Sequence, residues 1–176
     1  MKLVGIVGTA AEESTNRRLL QYMKRHFAAE AEIEIFEISG IPMFDKPVSK
    51  TAPSSVRKLS DKIEAADGVI IATPEYDHSV PAALLNVLEW LAYTSRAFNN
   101  KKTLIVGASY GNLGTLRAQN QLRQILSSED LKADFHTGAS FFLGHSLEAF
   151  DENGDLKNET DVKALDDYFR EGWNRR

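Results

Sequence analysis

The chain alternates between short unbroken apolar runs and longer segments whose apolar residues recur every three or four positions. Leu3-Val4-Gly5-Ile6-Val7 is a run of the first kind and predicts a buried first strand. Gly8 to Thr15 is small and polar, and reads as a loop. From Asn16 to about Ala29, Leu19, Leu20, Met23 and Phe27 share one helical face. Glu32 to Ile38 alternates strictly between polar and apolar, which predicts a strand at a sheet edge. Gly40 to Pro53 holds three of the chain's five prolines and is a loop long enough to serve a function. Pro53 to Ala66 is helical, with Val56, Leu59 and Ile63 in register. Val69-Ile70-Ile71-Ala72 predicts a second buried strand, and Pro81 to Tyr93 an apolar helix opening on a proline. Lys101 to Ala108 reads as the fourth strand, and Gly114 to Leu126 as a helix burying Ala118, Leu122 and Ile125. A fifth strand is expected around Phe135 to Leu143, a turn at Asp151 to Gly154, and a last helix from Thr160 to Trp173.

Alternating strand and helix imply an α/β fold with a parallel sheet covered on both faces. Ligands bind such sheets where strands end and helices begin. At 176 residues the chain is expected to be one domain, residues 1–176. Its net charge of −4 argues against nucleic acid as a partner, because phosphate neutralisation needs a basic surface. The absence of cysteine excludes disulfides, thiol nucleophiles and cysteine-based metal sites, and suits a reducing cytoplasm. No apolar run reaches the ~20 residues of a membrane span, and Leu3 to Val7 is too short for a signal-peptide core. His26, His136 and His145 have no metal-ligand spacing, and no G-x-S-x-G elbow occurs, so neither a metal centre nor a hydrolase is expected.

Three loops carry the candidate chemistry. The first lacks both G-x-G-x-x-G and a Walker lysine. Instead Thr9, Ser14, Thr15 and Asn16 place hydroxyls and an amide where a helix opens, a setting that holds a phosphate monoester. Ser14 or Thr15 acting only as a helix cap is the alternative. Glu12 and Glu13 must point outward if a phosphate is to sit there. The second loop runs from Pro74 to Ser79. Pro74 fixes the path of the chain, and Tyr76 offers an aromatic face and a hydroxyl. Glu75 and Asp77 form either a solvated acidic turn, with Asp77 or Ser79 capping the next helix, or part of a site. An ionised Asp77 only accepts hydrogen bonds, so it suits an N–H partner. A lone loop histidine such as His78 is plain surface more often than a proton donor. The third loop, Ser109-Tyr110-Gly111-Asn112-Leu113-Gly114, has two glycines that permit close backbone approach to a ligand.

Pro74-Glu75-Tyr76, followed by Ser79, Pro81, Leu84 and Asn86, resembles the signature P-E-Y-N-x-S-x-P-G-x-L-K-N of the NADPH-dependent FMN reductase family. The chain departs from it at Asp77, Ala82 and Leu85. Gly8-Thr9 with Ser14 and Asn16 resembles the family's phosphate loop. Ser109, Gly111, Gly114, Arg117, Leu122 and Arg123 resemble its third loop and the helix that follows, so the likeness spans residues 1 to about 127. It implies a flavodoxin-like, three-layer sandwich with a five-stranded parallel sheet in the order 2-1-3-4-5. It implies FMN held by Thr9, Ser14, Thr15 and Asn16 at the phosphate, and by Pro74, Glu75, Tyr76, Asp77, Ser109, Tyr110, Gly111 and Gly114 beside the ring. NAD(P)H would be the electron donor, and a small flavin, quinone or azo compound the acceptor. Arg117, just beyond the third loop, either reaches a nicotinamide nucleotide's phosphate or pairs with a surface acid, and the second is expected. The cofactor carries that chemistry, so no obligatory protein acid or base is assigned. A flavodoxin-type electron carrier is a rival reading, although its usual T-x-T-G-x-T loop is not matched. A flavin-free interaction protein of the same fold is another.

The helix from Pro81 to Tyr93 also bears on assembly. Leu84, Leu85, Leu88, Leu91 and Ala92 cover one arc, and Ala83, Val87 and Trp90 extend it. Only Asn86, Glu89 and Tyr93 fill the rest, so the apolar surface is far wider than the stripe of about 100° that packing on a sheet needs. A two-fold partner helix over Val87 and Trp90 is the expected cover, in a homodimer or homotetramer. The resemblance points the same way, because flavin sites in that family lie at a subunit interface.

Overall fold

The computed structural model describes residues 1–138 and 140–174. Its elements, in chain order, are β1 (Lys2–Val7), α1 (Thr15–His26), β2 (Glu32–Glu37), α2 (Ser54–Ala65), β3 (Gly68–Ala72) and α3 (Ala82–Thr94). They continue with β4 (Lys102–Ala108), α4 (Leu116–Leu126), β5 (Asp134–Phe135), β6 (Phe141–Leu143) and α5 (Glu159–Asn174). All strand pairs are parallel, in the order β2-β1-β3-β4-β5, with β6 also on β4. The strictly alternating strand, β2, lies at the edge, as its polar face requires.

Successive strand residues point to opposite faces, and each face is covered by helices. Val4, Ile6, Val69, Ile71 and Ile105 pack against α2, α3 and α4. Leu3, Val7, Ile70, Leu104 and Val106 pack against α1 and α5, where the rings of Phe27 and Phe169 stack 3.7 Å apart. This is the flavodoxin-like three-layer sandwich that the resemblance implied.

Two expectations need correction. The fifth strand, expected as one piece around Phe135 to Leu143, is two short strands on the same edge of β4; Ala139, within that span, lies outside the described residues. β5 pairs with Lys102 and Thr103, β6 with Val106 to Ala108. The gap falls at Ile105. There the buried Tyr168 hydroxyl of α5 accepts from the Ile105 N–H (3.2 Å) and donates to its carbonyl (2.8 Å). One side chain thus satisfies the backbone groups that a continuous strand would have paired.

The wide apolar surface of α3 is covered from within the chain. Val87 and Trp90 are 0% and 3% exposed. The proline-bearing loop after β2 lies over them. Trp90 Nε1 donates to the Pro42 carbonyl (2.8 Å), and Phe44 stands edge-on to both Trp90 and Tyr93. Asn86, which the helical wheel assigned to the open sector, is buried. It accepts from the Phe44 amide (2.7 Å) and donates to the Pro42 carbonyl (3.0 Å). The surplus face therefore needs no partner helix.

Candidate functional site

Val7, Ala72 and Val106 are aligned across the sheet, so the loops after β1, β3 and β4 leave side by side. A fourth loop, after β6, closes against the third: His145 N donates to the Gly111 carbonyl (3.2 Å) and Ser146 N to the Ser109 carbonyl (3.0 Å). Sequence reading did not find this loop, whose only marker is Gly144.

In the first loop Ser14 caps α1, accepting from the amides of Asn16 and Arg17. Among the described residues the amides of Glu13, Ser14 and Thr15, just ahead of those two, donate to no protein acceptor. They stand at the positive end of the helix dipole, where an anion is favoured. Both readings of Ser14, cap and anion site, are compatible in one geometry. The other hydroxyls are engaged. Thr15 Oγ1 and Ser146 Oγ share a buried 2.9 Å hydrogen bond. Thr9, 2% exposed, accepts from the Ala11 amide (3.1 Å) and shares a bond with the Tyr76 hydroxyl (2.9 Å). Asn16 spends its side chain on the Ala108 backbone. Glu12 and Glu13 are exposed, and Arg17 braces the loop through the carbonyls of Ala11 and Glu12.

The second loop is a two-residue turn. Tyr76 N donates to the Ser79 carbonyl (3.1 Å) and Ser79 N to that of Tyr76 (2.9 Å). Between them Asp77 and His78 have φ of 48° and 62°. Two central residues of positive φ are the mark of a type I′ turn, which favours Asn or Asp at its first position. The residue at position 77 thus has a backbone reason. Its carboxylate and the His78 ring are exposed, and neither amide donates within the described residues. α3 has no side-chain cap, so the alternative of Asp77 or Ser79 capping it is not met. Ser79 Oγ donates instead to Gln121 Oε1 (2.7 Å).

Glu75 caps a different helix. The N-cap of α4 is Thr115, which is itself left-handed (φ 71°) and supplies no side-chain cap. The Glu75 carboxylate accepts from the amides of Arg117 (2.9 Å) and Ala118 (3.2 Å), the N2 and N3 positions where a cap bonds, and from the Arg117 guanidinium (3.1 Å). Burial pushes its pKa up. The Ala118 amide, the Arg117 side chain and amide, and His78 outweigh this and hold the carboxyl below its ordinary range. Arg117 pairs with an acid, as expected, and that acid is Glu75.

In the third loop Ser109 Oγ donates to the Gly111 carbonyl (3.1 Å), and Tyr110 is 66% exposed. The two glycines differ. Gly114 has φ +54°, and a Cβ there would meet the Phe142 backbone at 2.6 Å. Among the described residues Gly111 has nothing within 4 Å of that position, so its surface is open.

The loops enclose a cleft of about 210 Å³. Glu13, Ser14, Thr15 and Asn16 form one wall, Pro74, Glu75 and Tyr76 a second, and Ala108, Ser109 and Tyr110 a third. Of the expected residues, Thr9, Asp77, Gly111 and Gly114 do not line it. Among the described residues the lining carries two carboxylates, Glu13 and Glu75, and no Lys or Arg, so an anion there relies on amides and hydroxyls. A larger groove of about 370 Å³, lined by Lys2, Glu32, Glu34, Asp61 and Lys62, lies at the opposite ends of the strands, away from the helix N-termini. Sequence reading also missed Gln121 and the capping role of Glu75. One signal was available for the first: Arg117 and Gln121 are four residues apart and share a helix face.

A family model for NADPH-dependent FMN reductase matches residues 1–147. The NADH:(hydroxy)cinnamate reductase subunit CrdA of Vibrio ruber is 52% identical over 171 residues, covering 97% of this chain and 85% of that one. The NADH-dependent flavin reductase subunit 2 of Lactobacillus johnsonii is 42% identical over 173 residues, covering 94% and 92%. Among solved structures, the flavoenzyme NAD(P)H:(acceptor) oxidoreductase FerB of Paracoccus denitrificans superposes with a TM-score of 0.85 over 98% of this chain and 95% of that one. At 24% identity that likeness speaks for the fold.

Proposed function

The chain belongs to the NADPH-dependent FMN reductase family, and from that premise we propose that residues 1–176 act as one FMN-binding domain of an NAD(P)H oxidoreductase. When bound, FMN supplies the redox chemistry, taking hydride from reduced nicotinamide and passing electrons to a flavin, quinone or azo-type acceptor. The observation that carries the reading is the set of free amides at Glu13, Ser14 and Thr15 on one wall of the cleft, together with the free amides of Asp77 and His78 on the turn that follows the Tyr76 wall. The first set, with Ser14, suits a phosphate. The second suits the carbonyl and ring-nitrogen acceptors of a flavin. Tyr76 and Tyr110 offer aromatic faces at the rim. Glu75 is neutralised by α4 and Arg117, so it adds little repulsion against an anion. The chain's residues bind, orient and shield; none is assigned a proton transfer.

A second chain at the cleft mouth is supported by its size. About 210 Å³ is less than the ~300–1,000 Å³ of sites that enclose a ligand, so a flavin here stays partly open. Tyr76, Tyr110, Leu113 and Leu147 are exposed apolar residues on the second, third and fourth loops. The two relatives described above are named as subunits. The partner is a second copy in a homodimer or homotetramer, or a distinct subunit. Among the described residues no helix is long and apolar enough to cross a membrane, and a cytoplasmic site of action is part of the proposal.

The test is reconstitution of the purified protein with FMN or FAD, followed by anaerobic NADH and NADPH oxidation with a quinone, a free flavin or an azo dye. Bound FMN and acceptor-dependent oxidation are expected. Bound FMN without nicotinamide oxidation would indicate an electron carrier. No flavin uptake would indicate an interaction protein of the same fold. Light scattering on the same sample reads the assembly.

A further inference from the structure

We propose that Gln121, on α4, is a positioning residue for the flavin: it grips one end of the Tyr76–Ser79 turn while Glu75 ties the other end to the same helix. The inference rests on the FMN reading above. The turn carries the two free amides of Asp77 and His78, and both residues hold left-handed backbone angles that non-glycine residues disfavour. Its two cross-turn hydrogen bonds close it, and its surroundings fix its orientation. Its entry is held by the Glu75 carboxylate on the first turn of α4. Its exit is held by a single atom: Gln121 Oε1 accepts from Ser79 Oγ (2.7 Å) and from the Val80 amide (2.8 Å). An amide oxygen has two acceptor sites, so both are used. The Tyr76 hydroxyl, bonded to Thr9, adds a tie to the first loop. α4 therefore sets the direction in which the two amides point.

Gln121 works here only as an acceptor, and this separates positioning from packing. Gln121→Glu keeps the acceptor; Gln121→Met keeps the length and the apolar stem but loses it. Three quantities are measured: amide hydrogen exchange at Tyr76 and Ser79 without flavin, FMN affinity by fluorescence titration, and the midpoint potential of bound FMN. Gln121→Met should speed exchange at both amides, weaken FMN about tenfold and shift the potential. Gln121→Glu should keep exchange and affinity near wild type. Ser79→Ala, which removes one of the two donors, should move the same way by less. Gln121→Met with wild-type affinity and potential overturns the proposal, as does Gln121→Glu failing as badly as Gln121→Met. A wild-type protein that takes up no FMN overturns instead the reading on which the proposal rests.

Discussion

The Asn16 side chain and the Ala108 backbone exchange two buried hydrogen bonds, Nδ2 to O and N to Oδ1, each 2.9 Å long. They tie the start of α1 to the end of β4, so the first and third loops are fixed to each other whatever binds between them. Asn16→Ala would leave the Ala108 N–H and carbonyl unpaired away from water. At about 1–3 kcal/mol for each orphaned group, a loss of about 2–6 kcal/mol is expected. Urea unfolding should show a lower midpoint with an unchanged slope. A loss below about 1 kcal/mol would mean that water replaces the bonds.

Glu75 makes stability depend on acid. Its folded-state carboxyl is held below the ordinary range by the α4 amides and Arg117. The unfolded chain therefore takes up this proton first as pH falls. The contribution is complete above the ordinary carboxyl value and is lost as pH drops through the lowered folded value. Glu75→Gln should flatten the fall in unfolding free energy across that window. At neutral pH it should cost about 1 kcal/mol, the usual worth of a cap. An unchanged pH profile would remove Glu75 from the linkage.

Ser14→Asp separates the two roles of Ser14. Aspartate is as good a helix cap as serine, so thermal stability should stay near wild type. Its charge beside the free amides of Glu13 and Thr15 should repel a phosphate. FMN affinity should fall tenfold or more, while riboflavin, which has no phosphate, should bind about as before. Equal losses for both ligands would move the phosphate away from α1.

The glycines of the third loop should respond in opposite ways. Gly114→Ala meets the Phe142 backbone from a left-handed position, and should cost about 2–4 kcal/mol. Gly111→Ala meets nothing and should leave stability unchanged. If the loop backbone lies against the flavin, Gly111→Ala should still weaken FMN several-fold. Retained affinity would place the ring elsewhere.

Asn86 and Trp90 hold the loop after β2 onto α3. Asn86→Ala should make residues 40–53 more sensitive to limited proteolysis without altering the oligomeric state. A shift to monomer would return this face of α3 to the assembly.

The elements and their edges were legible because periodicity is local. Leu19, Leu20 and Met23 mark the buried face of α1 within one turn of chain, and the alternation from Glu32 to Glu37 marks β2 as an edge strand. The strand order came through the resemblance carried by Pro74-Glu75-Tyr76 and its companions, not from periodicity. The split between β5 and β6 was not legible, because the hydroxyl that repairs it sits on Tyr168, 63 positions from Ile105. The wheel of α3 misplaced Asn86 for a similar reason: the loop that buries it arrives from 42 residues away.

Periodicity and the family likeness together indicated that the first three loops gather at the strand ends and which residue types they bring there, but not the fourth loop that closes against the third. What each side chain does there follows from the folded arrangement. Ser14 was read both as a cap and as a phosphate ligand, and its cap partners are two and three residues away, within reach of local reading. Asn16 bonds across 92 positions, Thr9 across 67, and Glu75 across 42 and 43. A short polar side chain bonds whatever lies within about 3 Å of it. That neighbour is set by how the sheet and helices bring distant backbone together, and no spacing along the chain encodes it.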